Sequence, residues 1–111
     1  MAITGYDHLV VRVSDIDQGI STYRDTLGLK LDRTDENQQL GIKQAFFNLP
    51  NGGFIEIVAP LSEDSAVGKA LASRGEGMHT IAFEVDDLDA TCTAMREGGA
   101  QLIGEGGPQV F

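Results

Sequence analysis

Three polar side chains interrupt segments that are otherwise apolar, and they are the residues best suited to chemistry. His8 opens the first apolar segment, Gln44 lies within a later one, and Glu56 stands in the middle of Phe54–Ala59. A carboxylate that faces an apolar layer is costly unless it is paired or bound to a cation. Histidine nitrogen together with carboxylate oxygen suits a divalent transition metal. The pattern therefore favours a metal site that includes His8 and Glu56.

A second group, His79 and Thr80, begins another apolar segment near the end of the chain. This group would lie at a place equivalent to His8 if the two segments are related by a pseudo-two-fold axis. A simpler interpretation is also open, in which His8 is hydrogen-bonded or exposed and Glu56 faces solvent. The sequence contains neither a glycine-rich phosphate loop nor a recognisable Ser-His-Asp or Cys-His set.

Periodicity and turn signals predict the elements that position these residues in the first half of the chain. The order is β-α-β-β-β, with strands at His8–Val13, Leu29–Arg33, Ile42–Leu49 and Phe54–Ala59. The helix opens at Asp15 and Asp17, which are suited to capping its N-terminus, and it ends at Gly28. Its apolar face is spaced at three and four residues and comprises Ile16, Ile20, Tyr23 and Leu27. The polar residues 32–39 are predicted to form a loop.

The second half repeats part of this pattern. A helix over 62–74, capped by Ser62 or Asp64, is predicted to precede a strand over 79–85, a helix opening at Asp87, and a short strand over 101–103. Identical residues recur at an offset of 72, in the pairs Val13/Val85, Asp15/Asp87, Asp17/Asp89 and Arg24/Arg96. These features predict an internal duplication in an α+β fold.

The duplication sets the expected domain organisation. We expect one domain, with a first βαβββ module over 1–60, a helical linker over 61–78 and a partial second module over 79–111. The same offset places the end of a complete second module about 20 residues beyond Phe111. We therefore expect Gly104–Pro108 to be a turn and 109–111 to begin a strand that is cut short. The missing strands would follow Phe111 or come from another chain.

Charge and length exclude several functional classes. The 111 residues suit a single domain, and 8 basic against 17 acidic residues give a net charge of −9. Nucleic acid and anionic membranes reward basic proteins, so neither is an expected partner. The single cysteine, Cys92, excludes an intrachain disulfide and fits a reducing compartment. No signal peptide or membrane span is recognisable, so we expect a cytoplasmic protein.

Several motifs in order resemble the vicinal oxygen chelate superfamily, which includes glyoxalase I, extradiol dioxygenases and bleomycin-resistance proteins. They are Asp7-His-Leu-Val-Val11, Tyr23-Arg-Asp-Thr-Leu-Gly28, Glu56-Ile-Val-Ala-Pro-Leu61 and Ile81-Ala-Phe-Glu-Val-Asp-Asp-Leu-Asp89. Within the superfamily they are most similar to the methylmalonyl-CoA epimerases. The resemblance implies paired βαβββ modules, commonly in a homodimer, around one divalent ion of cobalt, nickel, manganese, zinc or iron.

The resemblance also implies roles for individual residues. His8 matches the first metal ligand, and Glu56 matches the ligand on the fourth strand. The third ligand of the family aligns with Thr80, while His79 lies one residue earlier. Gln44 aligns with the catalytic glutamate of the epimerases, although an amide cannot act as a carboxylate base. The fourth family ligand, a glutamate, would lie beyond Phe111.

The activity implied by this resemblance is metal-assisted proton transfer on a small carbonyl or acyl-thioester substrate, as in an isomerase or lyase. Two alternatives stay open. One is a non-catalytic small-molecule-binding module of the resistance type, which Gln44 and Thr80 favour. The other is a protein related to the dioxygenases, whose two histidines and one carboxylate would again require the missing histidine.

Overall fold

The structure is a computed structural model, and it describes residues 2–103. The predicted turn at Gly104–Pro108 and the predicted strand start at 109–111 lie outside the described residues. In chain order the elements are β1 (Ile3–Arg12), α1 (Ile16–Ser21), a π-helical turn (Thr22–Thr26), β2 (Leu31–Asn37), β3 (Ile42–Asn48), β4 (Phe54–Pro60), α2 (Ala66–Arg74), β5 (Gly77–Val85) and α3 (Leu88–Glu97). The predicted α+β class is confirmed, and no helix among the described residues is long and apolar enough to cross a membrane.

The sheet brings the three candidate residues of the first module to one face. Its strand order is β2-β3-β4-β1-β5, with β1 parallel to β4 and with β3 antiparallel to both β2 and β4. His8 pairs with Phe54, two residues before Glu56, and Gln44 pairs with Val58, two residues after it. Because side chains alternate between the two faces of a sheet, His8, Gln44 and Glu56 lie on the same face.

The chain divides into two compact units, of which the larger is Tyr6–Ala82. One core cluster of this unit packs α1 against the sheet and contains Val13, Ile20, Ala45, Phe47, Ile57 and Ala59. A second cluster packs Val67 of α2 onto the opposite face and contains Val10, Ile42 and Val58. Val10 and Val58 lie two residues beyond His8 and Glu56 on their strands, so α2 closes the site face at one end.

The smaller unit comprises residues 2–5 and 83–103 among those described. The backbones of Ala2 and Asp86 are joined by a hydrogen bond of 3.2 Å, and the Asp86 carboxylate accepts from Ala2 N at 3.1 Å. The predicted strand at 101–103 is wrong, since these residues form no strand and Ile103 is 87% exposed. Three residues without a neighbouring strand to pair with cannot form a ladder.

The first helix begins as predicted and changes its winding before it ends. The Asp15 carboxylate caps α1 by accepting from the backbone N–H groups of Asp17 and Gln18. The next turn is π-helical, with Leu27 N donating to Thr22 O at 3.0 Å. The wider turn shifts the residues that follow, so Leu27 is exposed instead of lying on the predicted apolar face. Gly28 ends the element in the left-handed region, with φ of 77°.

Two further predictions of local structure are wrong. Residues 31–37, most of which were expected in a loop, form β2 and pair with β3. This strand lies at the edge of the sheet and is mostly exposed. Its residues are therefore polar, and a polar sequence does not show that its backbone pairs with β3. Helix α2 is capped by Ser65, whose hydroxyl accepts from Gly68 N at 3.0 Å, and not by Ser62 or Asp64.

The two Asp-capped helices retain the offset found in the sequence. Asp87 caps α3 by accepting from Ala90 N at 2.9 Å, as Asp15 caps α1. The helices α1 and α3 begin at Ile16 and Leu88, which are 72 residues apart. This agreement supports the predicted duplication at its strand-to-helix junctions, while the module boundaries stay predictions.

Candidate metal centre

His8 and Glu56 meet on the sheet face through two atoms that have no other partner in the described part of the chain. His8 is 6% exposed and Glu56 is 0% exposed. The distance between His8 Nε2 and Glu56 Oε1 is 4.0 Å, and within residues 2–103 both atoms are buried without a hydrogen bond. A buried polar atom left unsatisfied costs about 1–3 kcal/mol. Two such atoms facing each other are a donor pair that a cation would satisfy.

The imidazole of His8 is held by contacts on two sides. Its Nδ1 lies 2.8 Å from the Asp7 carboxylate, and its ring stacks on Phe54 with centroids 4.3 Å apart. Because an ionised carboxylate only accepts hydrogen bonds, this contact favours the tautomer with the proton on Nδ1, in which a neutral ring keeps a lone pair on Nε2. Metal-binding histidines are commonly oriented by such a carboxylate. Asp7 and Phe54 therefore hold the ring so that Nε2 faces Glu56.

The carboxylate of Glu56 is held by Gln44. Gln44 Nε2 donates to Glu56 Oε2 at 2.9 Å, and both side chains are buried. Burial raises the pKa of Glu56 above its ordinary value of 4.5, against the opposing effects of the Gln44 hydrogen bond and of His8 and Arg33. A cation beside Oε1 would stabilise the ionised form that burial disfavours.

These two side chains fit a divalent transition metal. Bonds from such an ion to histidine nitrogen and carboxylate oxygen are about 2.0–2.2 Å long, so a tetrahedral ion holds two ligand atoms about 3.4 Å apart. The 4.0 Å gap is slightly wider than this, and the two side chains would have to approach by a few tenths of an ångström for one ion to bind both. One imidazole and one carboxylate suit zinc, iron, cobalt, nickel or manganese. Within the described residues, no group of three His, Cys, Asp or Glu side chains is placed to hold a metal. His8 and Glu56 would supply two of the four ligands of a tetrahedral ion.

His79 lies beside Arg12. Arg12 Nη1 is 3.5 Å from His79 Nδ1, and the same guanidinium donates to Gly75 O and Met78 O at 2.8 Å each. Burial, aided by the charges of Arg12 and Arg74, lowers the pKa of His79 below 6.5, so His79 is neutral at pH 7. Thr80, which follows His79 on β5, is exposed. The assignment of His79 as a metal ligand stays a prediction.

Sequence reasoning left Asp7, Phe54 and Arg33 without a role at the site. For the contact between Asp7 and His8, the only signal in the sequence was that the two residues are adjacent. Arg33 lies in the segment predicted to end a strand and begin a loop, yet its guanidinium stacks 3.8 Å above the Phe46 ring. Phe46 in turn lies 6.1 Å from Phe54, so aromatic rings line the site face from Arg33 to His8.

Two curated relatives are enzymes with different reactions. The ethylmalonyl-CoA/methylmalonyl-CoA epimerase of Cereibacter sphaeroides is 31% identical over 105 residues, which cover 94% of this chain and 78% of that protein. The lactoylglutathione lyase of Haemophilus influenzae is 36% identical over 101 residues, covering 91% of this chain and 73% of that protein. These relatives support an enzymatic role and leave the reaction open between isomerase and lyase.

Two solved structures of methylmalonyl-CoA epimerases also match this chain. A methylmalonyl-CoA epimerase of Streptomyces coelicolor, in complex with 2-nitronate-propionyl-CoA, matches with a TM-score of 0.82 and 35% identity, over 94% of this chain and 78% of that one. The methylmalonyl-CoA epimerase of Mycobacterium tuberculosis matches with a TM-score of 0.82 and 38% identity, over 93% and 69%. Residues 7–111 also match the family model described as the glyoxalase/bleomycin resistance protein/dioxygenase superfamily. This chain belongs to the glyoxalase/bleomycin resistance protein/dioxygenase superfamily.

Proposed function

We propose that this chain is a metal-dependent enzyme that catalyses proton transfer on a small acyl-thioester or carbonyl substrate, as methylmalonyl-CoA epimerases do. The observation that carries the proposal is the facing pair of buried atoms, His8 Nε2 and Glu56 Oε1, which have no hydrogen bond within residues 2–103. The similarity to epimerases and to a lyase supports the reaction class.

The roles of the chain's own residues follow from their contacts. His8 and Glu56 would hold the ion, Asp7 would fix the tautomer of His8, and Phe54 would support its ring. When bound, a divalent ion supplies Lewis acidity that polarises a substrate carbonyl and eases loss of the neighbouring proton. The aromatic side chains Phe46 and Phe54 give the site face an apolar lining that suits an acyl group.

Gln44 favours a second candidate function. The carboxamide at this position cannot remove a proton, and its N–H is already used by Glu56. Proton transfer therefore requires a base other than Gln44. A module that binds a small molecule without turning it over would not require one, so such a binding module is the alternative.

Hydrogen exchange separates the two candidates. Purified protein loaded with Co²⁺ would be incubated with methylmalonyl-CoA in D₂O, and incorporation of deuterium at the α-carbon followed by mass spectrometry. The proposal predicts incorporation that a chelator abolishes, that added Co²⁺ restores and that is lost in His8→Ala. A matched control is Arg24→Ala, at an exposed ion pair with Asp25, which should exchange at the wild-type rate.

Three outcomes of the deuterium exchange experiment would contradict the proposed function or change its reaction class. Ligand binding by calorimetry without any deuterium incorporation would favour the binding module. Incorporation that persists in chelator would contradict the role of the metal. S-lactoylglutathione would be run in parallel, because turnover of this compound instead of methylmalonyl-CoA would place the chain among the lyases.

We further propose that the chain forms a homodimer, as the family resemblance implies, and that it is cytoplasmic. His79 and further ligands would complete each metal site. Light scattering of the purified chain tests the dimer. A mass of about 24 kDa is expected from two chains of 11.9 kDa, and a monomer at all concentrations would contradict it.

A further inference from the structure

Gln44 has a contact that suggests a role other than that of a base. It lies on β3 and Glu56 on β4, and the register places Gln44 opposite Val58, so the two side chains meet diagonally on one sheet face. The Gln44 Nε2 to Glu56 Oε2 distance is 2.9 Å, and Gln44 is only 6% exposed. This is a buried hydrogen bond between the one candidate ligand that can carry a negative charge and a side chain that cannot ionise.

The hydrogen bond makes the two oxygens of Glu56 different. Oε2 accepts from Gln44, whereas Oε1 faces His8 Nε2 at 4.0 Å and has no other partner in the described part of the chain. The last torsion of a glutamate side chain is soft, so an unrestrained carboxylate turns easily. Gln44 therefore fixes both which oxygen faces His8 and how the carboxylate plane is turned.

We propose that Gln44 is a positioning residue that makes Glu56 a ligand through one oxygen only. The inference rests on the proposed metal centre and adds a statement about which ions that centre prefers. Calcium takes six to eight oxygen ligands and often binds both oxygens of a carboxylate. Zinc and cobalt are satisfied by four ligands, so a single carboxylate oxygen suits them. By reserving Oε2, Gln44 biases the centre against calcium.

The variant Gln44→Met tests this role. Methionine has an unbranched side chain of similar length, and it cannot donate a hydrogen bond. Gln38→Met is the matched control, because Gln38 is exposed in the turn between β2 and β3. Gln44→Asn keeps the amide and is one methylene shorter, too short to reach Oε2. It provides the same comparison if Gln44→Met does not fold.

The readout is a titration with Co²⁺ followed by visible absorption, together with competition by Ca²⁺. We expect Gln44→Met to bind Co²⁺ about 10–100-fold more weakly, the usual effect of losing a residue that orients a metal ligand. At saturation its absorption should differ from that of the wild type, because Oε2 becomes free to join the ion. The preference for Co²⁺ over Ca²⁺ should narrow, and Gln38→Met should match the wild type in every respect.

Two results would overturn the inference, and they differ from failure of the metal centre itself. An unchanged Co²⁺ spectrum and ion preference in Gln44→Met, with only a lower unfolding temperature, would reduce Gln44 to a structural role. An unchanged affinity of Gln44→Met for Co²⁺ would also reduce Gln44 to a structural role. If the wild-type chain binds no Co²⁺, or binds it equally well after His8→Ala, the proposed metal centre fails and the inference fails with it.

Discussion

At the scale of single residues, the site depends on how two side chains are held. His8 is fixed by Asp7 on one side and Phe54 on the other, and Glu56 is fixed by Gln44. The sequence predicted His8 and Glu56 because each interrupts an apolar strand. It could not predict the 4.0 Å distance between them, which depends on the parallel register of β1 and β4.

Asp7 offers a test of the orientation of His8. Asp7→Ala removes the acceptor of the Nδ1 proton, so the ring loses both its tautomer preference and its anchor. We expect metal affinity to fall about 10–100-fold. The unfolding temperature should change little, since the Asp7 side chain is 51% exposed. Calorimetric titration with Zn²⁺ checks this, with Asp64→Ala as a control that removes a carboxylate from an exposed position. Equal affinities in the two variants would contradict the role of Asp7.

Glu56 should make the stability of the metal-free protein depend on pH. Burial raises the pKa of Glu56 in the folded state, so the folded chain holds this proton more tightly than the unfolded chain. Between 4.5 and the raised pKa, the free energy of unfolding therefore decreases as pH rises. Metal affinity should increase over the same range, because the ion displaces the proton.

Urea unfolding of the wild type and Glu56→Gln at several pH values measures this effect. The amide side chain occupies nearly the same volume and does not titrate, so the difference between the two proteins isolates residue 56. The wild type should lose stability relative to Glu56→Gln as the pH rises from 4.5. A difference that is constant with pH, or that changes in the opposite direction, would contradict the account of this carboxyl group.

At the scale of elements, patterns that rely on burial were predictive and patterns that rely on pairing were not. The strands β3 and β4 have apolar cores, and their predicted bounds differ from the observed ones by a single residue. The edge strand β2 is polar, so only its hydrogen bonds to β3 define it. The sequence also cannot decide between His79 and Thr80 as the third proposed ligand. Adjacent residues on a strand lie on opposite faces, so the choice depends on the pairing of the strand.

Helix α2 shows how closely an element can be constrained near the site face. A Cβ at Gly68 would lie 2.6 Å from Ser62 O and 2.7 Å from Glu63 O, which are backbone atoms with little freedom to move. We expect Gly68→Ala to destabilise the protein by about 1–3 kcal/mol, as overpacking commonly does. Chemical denaturation measures the loss. Gly5→Ala is the control, since a Cβ there meets nothing within 4 Å. Similar stability in both variants would contradict the packing described for α2.

At the scale of the whole molecule, the sequence predicted the α+β class and the superfamily. Both predictions used the order of the motifs and the 72-residue offset, which can be recognised in a sequence without knowing any contact between residues. The net charge of −9 argued against nucleic acid as a partner, and the proposed function assigns a small acyl-thioester or carbonyl substrate instead. The charge says nothing about where a metal would bind. The proposed position rests on two buried atoms, His8 Nε2 and Glu56 Oε1, which face each other and have no hydrogen bond among the described residues.

The most direct test of the central claim is the amount of metal held by the purified chain. Protein dialysed against Zn²⁺ or Co²⁺ and then freed of excess ion would be analysed by elemental mass spectrometry, alongside His8→Ala, Glu56→Ala and the control Gln38→Ala. We predict about one ion per chain in the wild type and the control, and a large loss in the two site variants. Equal metal content in all four proteins, or none in the wild type, would contradict the account.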